Sequence, residues 1–388
     1  MLEKNRGTII IFSTAYLPYL GGAEIAIKGI TDHVGDFNFV MLTARYARSL
    51  PPRQQVGKVM VYRLGFGTPF YKFLLPLLAF VKFFSVRMKI SGPVMLWAMM
   101  VSYSSLAALF IKKLHPELPL LLTLQEGDSE AHIRRGRLGL IGFFWKQMIG
   151  KADYIQTISN YLKALAVSFG AAPNSIMVVP NGIDVAAFRN PDPILQEDIK
   201  SMFGIVRDDK VIFTASRLVH KNAADVIIES MQFLPRRAKL VIAGGGEDEQ
   251  KLKTLAREKG VSDRVHFAGT VPNNRIPAYF AIAHVFVRPS RSEGLGVAFL
   301  EAMAAGTAIV ATEVGGIKDF LRDGETGLVV AVDDPKDTAE KIDMLLRDEP
   351  LRQKLIANGR RLVEEKYQWS KISGQMKNIF RRLLFSNS

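Results

Sequence analysis

Two doubly wound α/β domains, each a parallel sheet flanked by helices, are the architecture this sequence predicts. Three observations carry the prediction. The chain has 388 residues, more than the roughly 100 to 200 that one domain usually holds. Short apolar runs alternate with amphipathic helical stretches from end to end, the pattern of βαβ units in parallel sheets. A group of turn formers, Pro180, Asn181 and Gly182 with Pro191 and Pro193 just beyond, interrupts that alternation midway. The hinge is expected between residues 179 and 190, with one domain over 1–184 and a second over 185–368. Two such Rossmann-like domains would face each other across a cleft, and open sheets bind ligands at the carboxyl ends of their strands.

In order along the chain, β-rich apolar runs predict strands over 8–12, 39–43, 59–64, 94–98, 120–124, 154–157 and 176–179. After the break they resume over 211–214, 240–243, 265–268, 285–287, 308–311 and 327–330. Hydrophobic content of 48% with 23% charged residues is that of a globular chain. The first apolar run is too short for a secretory core and lacks a small-residue cleavage pattern. Pro93 to Ile111 carries no charge over the length of a membrane span. Its polar SYSS break suits a helix start instead, so a βα unit is expected there. The chain has no cysteine, which excludes disulfides and thiolate metal sites and agrees with a reducing cytoplasm.

The stretch RPSRSEGLGVAFLEAMAAG, from Arg288 to Gly306, raises a physical question. An ionised carboxylate among apolar neighbours costs several kcal/mol, about the desolvation penalty of a buried charge, unless donors meet it. Glu301 stands in such a run. The preceding strand leads into a loop with Gly294 and Gly296, and a helix is expected to start near Gly296 or Val297. Glycines admit close approach of a ligand to backbone, and the free N–H groups of a helix start favour a diphosphate. Glu301, about one turn in, would accept hydrogen bonds from a ribose diol, and Glu293 in the loop would address a sugar hydroxyl. The plainer alternative has Glu301 capping a neighbouring loop and Glu293 solvated.

A second constellation, TASRLVHK, places Arg217 and Lys221 after a strand, where two cations would neutralise charge on a departing diphosphate; surface ion pairing is the alternative. Gly21 and Gly22 precede an amphipathic helix and admit either a phosphate or a tight turn. The loop after the fifth strand carries Glu126 and Asp128, candidates for a general base or members of a solvated charged turn. Neither GxGxxG nor GxxxxGK[ST] occurs, no serine elbow is present, and six scattered histidines without HxxxH-like or DxD spacing give no metal site.

The formal charge of +14 is uneven: Met1 to Asp184 holds 20 Lys and Arg against 10 Asp and Glu. Such a domain meets something negative. The segment Tyr71 to Ile90 is apolar with Lys72, Lys82, Arg87 and Lys89 interspersed, and admits two readings: interfacial binding to an anionic bilayer or packing as an ordinary helix. Basic residues lack the aromatic interleaving of single-strand nucleic-acid platforms, so no nucleic acid partner is expected.

The spacing Glu293-Gly-Leu-Gly-x4-Glu301-Ala-Met-Ala-Ala-Gly resembles the E-x7-E signature of glycosyltransferase family 4, the retaining enzymes of the GT-B fold. The resemblance continues through GGAE at 21–24, ISNYLK at 158–163, VPNGID at 179–184, SRLVHK at 216–221, AGGGED at 243–248 and ATEVGGIKDFLRDGETGLVV. It implies transfer of a sugar from a nucleotide donor, a UDP-sugar or GDP-mannose, to a glycan or lipid-linked acceptor, with anomeric configuration retained and no essential metal or other cofactor. It implies that Glu301 holds ribose, that Glu293 lies near the donor sugar, and that Arg217 and Lys221 bind diphosphate. Gly245 and Gly294, Leu295 and Gly296 would line the donor site, with Gly21 and Gly22 near the sugar phosphate. The segment 369–388 would cross back to the first domain. Two positions depart from the family pattern. The usual lysine stands one place later, where this chain has Asn222, and the usual histidine after the fifth strand is replaced by Gln125-Glu126-Gly127-Asp128. The basic, apolar region from Tyr71 to Arg137 points to a lipid-linked acceptor at the inner face of the cell membrane, in surface polysaccharide or glycolipid synthesis. A non-catalytic binding protein of the same fold and a glycoside phosphorylase are the alternatives.

Overall fold

The computed structural model describes residues 6–19 and 21–385; of the amino-terminal stretch read above for a secretory pattern, residues 1–5 lie outside them. The chain forms two compact units, one of residues 1–182 with 369–388, the other Ile183–Gln368.

The first unit is built on eight strands: β1 (Thr8–Phe12), β2 (Asn38–Ala44), β3 (Arg53–Val56), β4 (Val59–Leu64), β5 (Val94–Met99), β6 (Leu120–Leu124), β7 (Tyr154–Thr157) and β8 (Ile176–Val178). Their order is β3-β4-β2-β1-β5-β6-β7-β8, parallel except for the β3–β4 pair. β3, RQQV, has no apolar run and follows no βαβ rule, because it is an antiparallel edge strand made by local pairing with β4; the sequence reading lacks it. The other seven strands fall where apolar runs predict them. Chain order reverses about β1 and β5, which makes their carboxyl ends the topological switch point.

Alternate strand residues Ile9, Ile11, Met95 and Trp97 pack under the helices Gly22–His33 and Trp369–Phe385, in a core that includes Ile372, Met376, Ile379 and Phe380. Trp369 explains two glycines. A Cβ on Gly29 or Gly182 would lie 2.1 or 2.4 Å from its indole, so Gly182 serves contact with a ring rather than a turn. A chain of hydrogen bonds ties the sheet centre: Trp97 Nε1 to Thr123 Oγ1 at 2.8 Å, Thr123 Oγ1 to Gln156 Oε1 at 2.7 Å, Gln156 Nε2 to the Val179 carbonyl at 2.5 Å. The uncharged run after Pro93 forms β5 and the helix Tyr103–Leu114, opened by a capping box at Ser102 and Ser105. Among the described residues no helix is long and apolar enough to cross a membrane. The helix Tyr71–Arg87 buries Leu75, Ala79, Phe83 and Val86, while Phe73, Leu77 and Val81 remain 49%, 63% and 62% exposed.

The second unit has six parallel strands: β9 (Lys210–Ala215), β10 (Ala238–Ala243), β11 (Val265–Gly269), β12 (Val285–Arg288), β13 (Ala308–Thr312) and β14 (Leu328–Val330). Their order is β11-β10-β9-β12-β13-β14, all where apolar runs predict them. The switch point lies between β9 and β12. One face carries an aliphatic core that includes Ile212, Leu240, Val285 and Val310. The other carries a row of rings, Phe213, Phe280, Phe286, Phe299 and Phe320, with successive centroids 5.0 to 5.8 Å apart.

Candidate functional site

The loops leaving β9, β10, β12 and β13 gather most of the residues singled out in the second unit. Arg217 follows β9 by two residues and its side chain is exposed. Lys221 lies in the turn His220–Asn222, and its carbonyl accepts from the Arg291 amide at 2.8 Å, tying the β9 loop to the β12 loop. Asn222 is buried, and its amide donates to the Arg217 carbonyl at 2.7 Å. The residue at the departing family position is thus a brace for the loop that presents Arg217. Arg291 adds a clamp: its guanidinium donates to both Asp225 oxygens at 3.0 and 2.7 Å and to Asp333 at 2.6 Å.

The loops touch backbone to backbone. Gly244 has φ +136° and a Cβ there would stand 1.8 Å from the Ser216 carbonyl oxygen. The Leu218 amide donates to the Gly245 carbonyl at 3.0 Å. A Cβ on Gly315, φ +53°, would stand 1.9 Å from the Glu293 carbonyl oxygen, which accepts from the Gly316 amide at 3.0 Å. Gly294, Leu295 and Gly296 are buried, and Gly296 at φ +87° turns the chain into the helix Val297–Ala305. Glycine is required at these three positive-φ positions because an L side chain would be both strained and blocked.

Glu293 accepts from Arg288 Nη2 at 2.8 Å. Arg288 is buried at the end of β12; its Nη1 donates to the Ala215 carbonyl at 3.3 Å and its guanidinium lies 4.7 Å from the Phe299 ring centre. Sequence reasoning overlooked it, although a charged residue closing a buried parallel strand is the signal that finds it. The Arg288 Nε and the Ser290 hydroxyl are buried without a hydrogen-bond partner among the described residues, unusual for native polar atoms. The Glu301 carboxylate accepts no hydrogen bond from the protein among the described residues, which sets aside the loop-capping alternative, and its residue is partly accessible rather than sealed. Burial pushes its pKa up to about 7, and the charge of Arg288 opposes that rise.

In the first unit Gly21 and Gly22 follow β1 at the switch point. Gly21 is extended at φ −138° and caps the helix, and space around a Gly22 Cβ is open. Glu126 is buried and spends both oxygens on backbone: Oε1 accepts from Val101 N at 2.8 Å, Oε2 from Gln125 N at 2.9 Å. It fastens the loop after β5, where Met100 stands at φ +62°. Burial raises its pKa to about 7 and the charge of Asp128 adds to the rise. Among the described residues no group of three or more His, Asp or Glu side chains is gathered where a metal ion would bind.

Three comparisons bear on this arrangement. Residues 196–362 match the family model "Glycosyl transferases group 1". The chain is 32% identical over 240 residues to a GDP-mannose-dependent alpha-(1-6)-phosphatidylinositol monomannoside mannosyltransferase of Mycobacterium tuberculosis, covering 59% of this chain and 62% of the other. It thus spans about three fifths of that relative's length. Among solved structures, sucrose-phosphate synthase from Thermosynechococcus elongatus superposes with a TM-score of 0.84 at 21% identity over 99% and 100% of the two chains. The Anabaena protein HepE in complex with UDP and glucose gives 0.79 at 17% over 97% and 99%.

Proposed function

Because residues 196–362 belong to the group 1 glycosyltransferases and the chain has the GT-B fold of two parallel-sheet α/β domains, we propose that it moves a sugar from a nucleotide-sugar donor to a glycan or lipid-linked acceptor. The observation that carries this reading is Glu301. A carboxylate without donors among the described residues, one turn inside a helix whose first residues follow two buried glycines, suits a ribose diol attached to a diphosphate at the helix start. The donor, a UDP-sugar or GDP-mannose, then places its phosphates near Gly294, Leu295, Gly296 and Gly245, with Arg217 and Lys221 as counter-charges and Glu293 toward the sugar.

The reaction proposed is a retaining, metal-independent substitution on one face of the sugar. In this reading Glu301 is committed to ribose and Glu293 is tied to Arg288, so neither serves as the nucleophile that a retaining glycosidase sets about 5 Å from its acid. The donor C–O bond opens toward an oxocarbenium-like state, its electron pair passes to the leaving phosphate, and a phosphate oxygen takes the proton of the acceptor hydroxyl as the new C–O bond forms. Arg217, Lys221 and the helix start stabilise the growing charge. Glu126, with both oxygens on backbone amides, is better suited to shaping the acceptor loop than to taking that proton; Asp128 beside it remains the side-chain alternative.

The exposed apolar face of Tyr71–Arg87 and the basic first unit support an acceptor embedded in a membrane, and the mannosyltransferase relative is named for a phosphatidylinositol glycoside. We place the chain peripherally at the cytoplasmic face of an anionic membrane on that ground. A thermal-shift panel of nucleotides and nucleotide-sugars, followed by transfer or hydrolysis assays, tests the reading. Stabilisation by one nucleoside diphosphate and its sugar, lost in Glu301→Ala, is expected. Stabilisation without any turnover would return the binding-protein alternative, and turnover dependent on inorganic phosphate would return the phosphorylase.

A further inference from the structure

From Phe37 to Pro116 the chain contains no Asp or Glu and eleven Lys and Arg. These residues build β2 to β5 and the helices Tyr71–Arg87 and Tyr103–Leu114, one half of the first unit. At the amino-terminal end of that half a cavity of about 600 Å³ opens between the start of β2, the β3–β4 hairpin and the end of the helix Tyr71–Arg87. Among the described residues Arg6, Arg53, Lys58 and Lys89 line it, no carboxylate does, and Asn38 and Gln55 add neutral polar groups. That volume is within the range of small-molecule sites, roughly 300 to 1,000 Å³. The strands being parallel, it lies at the opposite end of the sheet from the switch point after β1 and β5.

Two acids at the adjoining end of the helix Gly22–His33 are spoken for. Asp32 pairs with Lys28, and Asp36 with Lys377 and Arg381. Capping of the helix Gly22–His33 accounts for two of the cations, since Lys58 Nζ donates to the Asp32 carbonyl at 2.6 Å and Arg6 Nη1 to that of Gly35 at 3.3 Å. It does not account for Arg53, Lys82 or Lys89. The Arg53 guanidinium and the Lys82 ammonium stand 5.6 and 4.6 Å from the centre of the same ring, Tyr62, which lines the cavity. Cations drawn to one wall, with no carboxylate among the described lining residues, repel one another unless an anion joins them.

We propose that this cavity binds a phosphate-bearing group, at a site separate from that of the sugar donor. The neighbouring apolar face of Tyr71–Arg87, whose end supplies Val86 and Lys89 to the cavity, makes a lipid headgroup the source that its position favours; a soluble phosphate shares the same chemistry. The proposal does not depend on the transferase reading. Its test uses the full chain and two charge-reversed variants, Lys58→Glu with Lys89→Glu in the cavity, and Lys251→Glu with Lys354→Glu on exposed helices of the second unit. Binding to phosphatidylglycerol-containing vesicles is measured by co-sedimentation, and binding of inorganic pyrophosphate by calorimetry. The cavity variant should lose about tenfold or more in affinity, as expected from the contribution of basic residues at an anionic surface, while the control pair loses little. Loss for vesicles alone assigns the lipid source, and loss for pyrophosphate as well assigns a general phosphate seat. Equal loss in both variants, or no binding of either probe by the parent chain, overturns the proposal. Donor-nucleotide stabilisation serves as a separate readout, so failure here is distinguishable from failure of the transferase reading.

Discussion

At the level of single residues the proposed function turns on Glu301. With its pKa raised to about 7 by burial, the carboxylate binds more protons in the folded protein than in the unfolded chain between the ordinary carboxylate value and 7. Its contribution therefore weakens the empty protein as pH rises through that window. A nucleotide whose diol donates to the ionised form reverses the balance: binding near pH 7 should release a proton, seen as a dependence of calorimetric enthalpy on buffer ionisation heat. Glu301→Gln should lose that component of proton release and bind nucleotide more weakly, because an amide is a poorer acceptor; proton release equal to the parent's would remove Glu301 from the ribose. For Arg217→Ala, turnover should fall about 100-fold, by analogy with removal of one anion-stabilising donor, with little change in thermal stability because the side chain is exposed. An unchanged rate would take Arg217 out of the mechanism. Arg288→Met behaves differently. It strands the Glu293 carboxylate without its cation, and breaking a largely buried pair costs about 3 to 5 kcal/mol as an upper guide, so a marked drop in melting temperature accompanies loss of activity.

Elements explain what residues alone do not. The parallel strands were legible because a strand buried on both faces reads as a continuous apolar run, and so was the helix start at Val297, announced by two glycines. β3 was not, since a polar edge strand is specified by its partner β4 and not by its own pattern. The ring contact behind Gly182 was illegible because its partner Trp369 lies far along the chain; the reach of Arg288 to Glu293 and the brace from Asn222 to Arg217 span only five residues each, but they depend on loop geometry that no periodicity specifies. Gly315 shows how far such contacts reach. Gly315→Ala would drive a methyl group into the Glu293 carbonyl in a left-handed backbone, costing about 1 to 3 kcal/mol, and should weaken nucleotide-sugar binding in calorimetry while Arg217 stays in place; full affinity would show that the loop tolerates displacement. His284 links β9 to the approach of β12, accepting from Val211 N at 3.1 Å, and burial first, then Lys210 and Arg352, lowers its pKa to about 4. Its folded value lies below the unfolded one, so its contribution is complete above about pH 6.5 and is lost as pH falls toward 4. Thermal melts of His284→Gln should be flatter than the parent's across that acid window.

Across the whole molecule the chain enters the second unit at Ile183 and returns to the first at Trp369. The return is structural rather than decorative. Ile372, Met376, Ile379 and Phe380 belong to the same core as Ile9, Trp97 and Met41, Phe380 meets Trp97 with ring centres 5.1 Å apart, and Trp369 stacks on His33 at 5.9 Å. A protein cut after Gln368 keeps every strand of both sheets yet uncovers one face of the first. Losing even one large apolar side chain from such a core costs about 2 to 5 kcal/mol, and here several go together, against a typical domain stability of about 5 to 15 kcal/mol. The truncated chain should therefore lose the cooperative melting of its first unit and bind a hydrophobic dye, while the second unit, which contributes no residue to that core, still responds to nucleotide in a thermal-shift assay. The milder Trp369→Ala should lower the melting temperature of the first unit alone, leaving space beside Gly29 and Gly182 that Gly182→Ala would partly fill. A truncated chain that melts like the parent would show that the first sheet folds without its final helix, and that the helix is an ornament of the domain rather than part of its core.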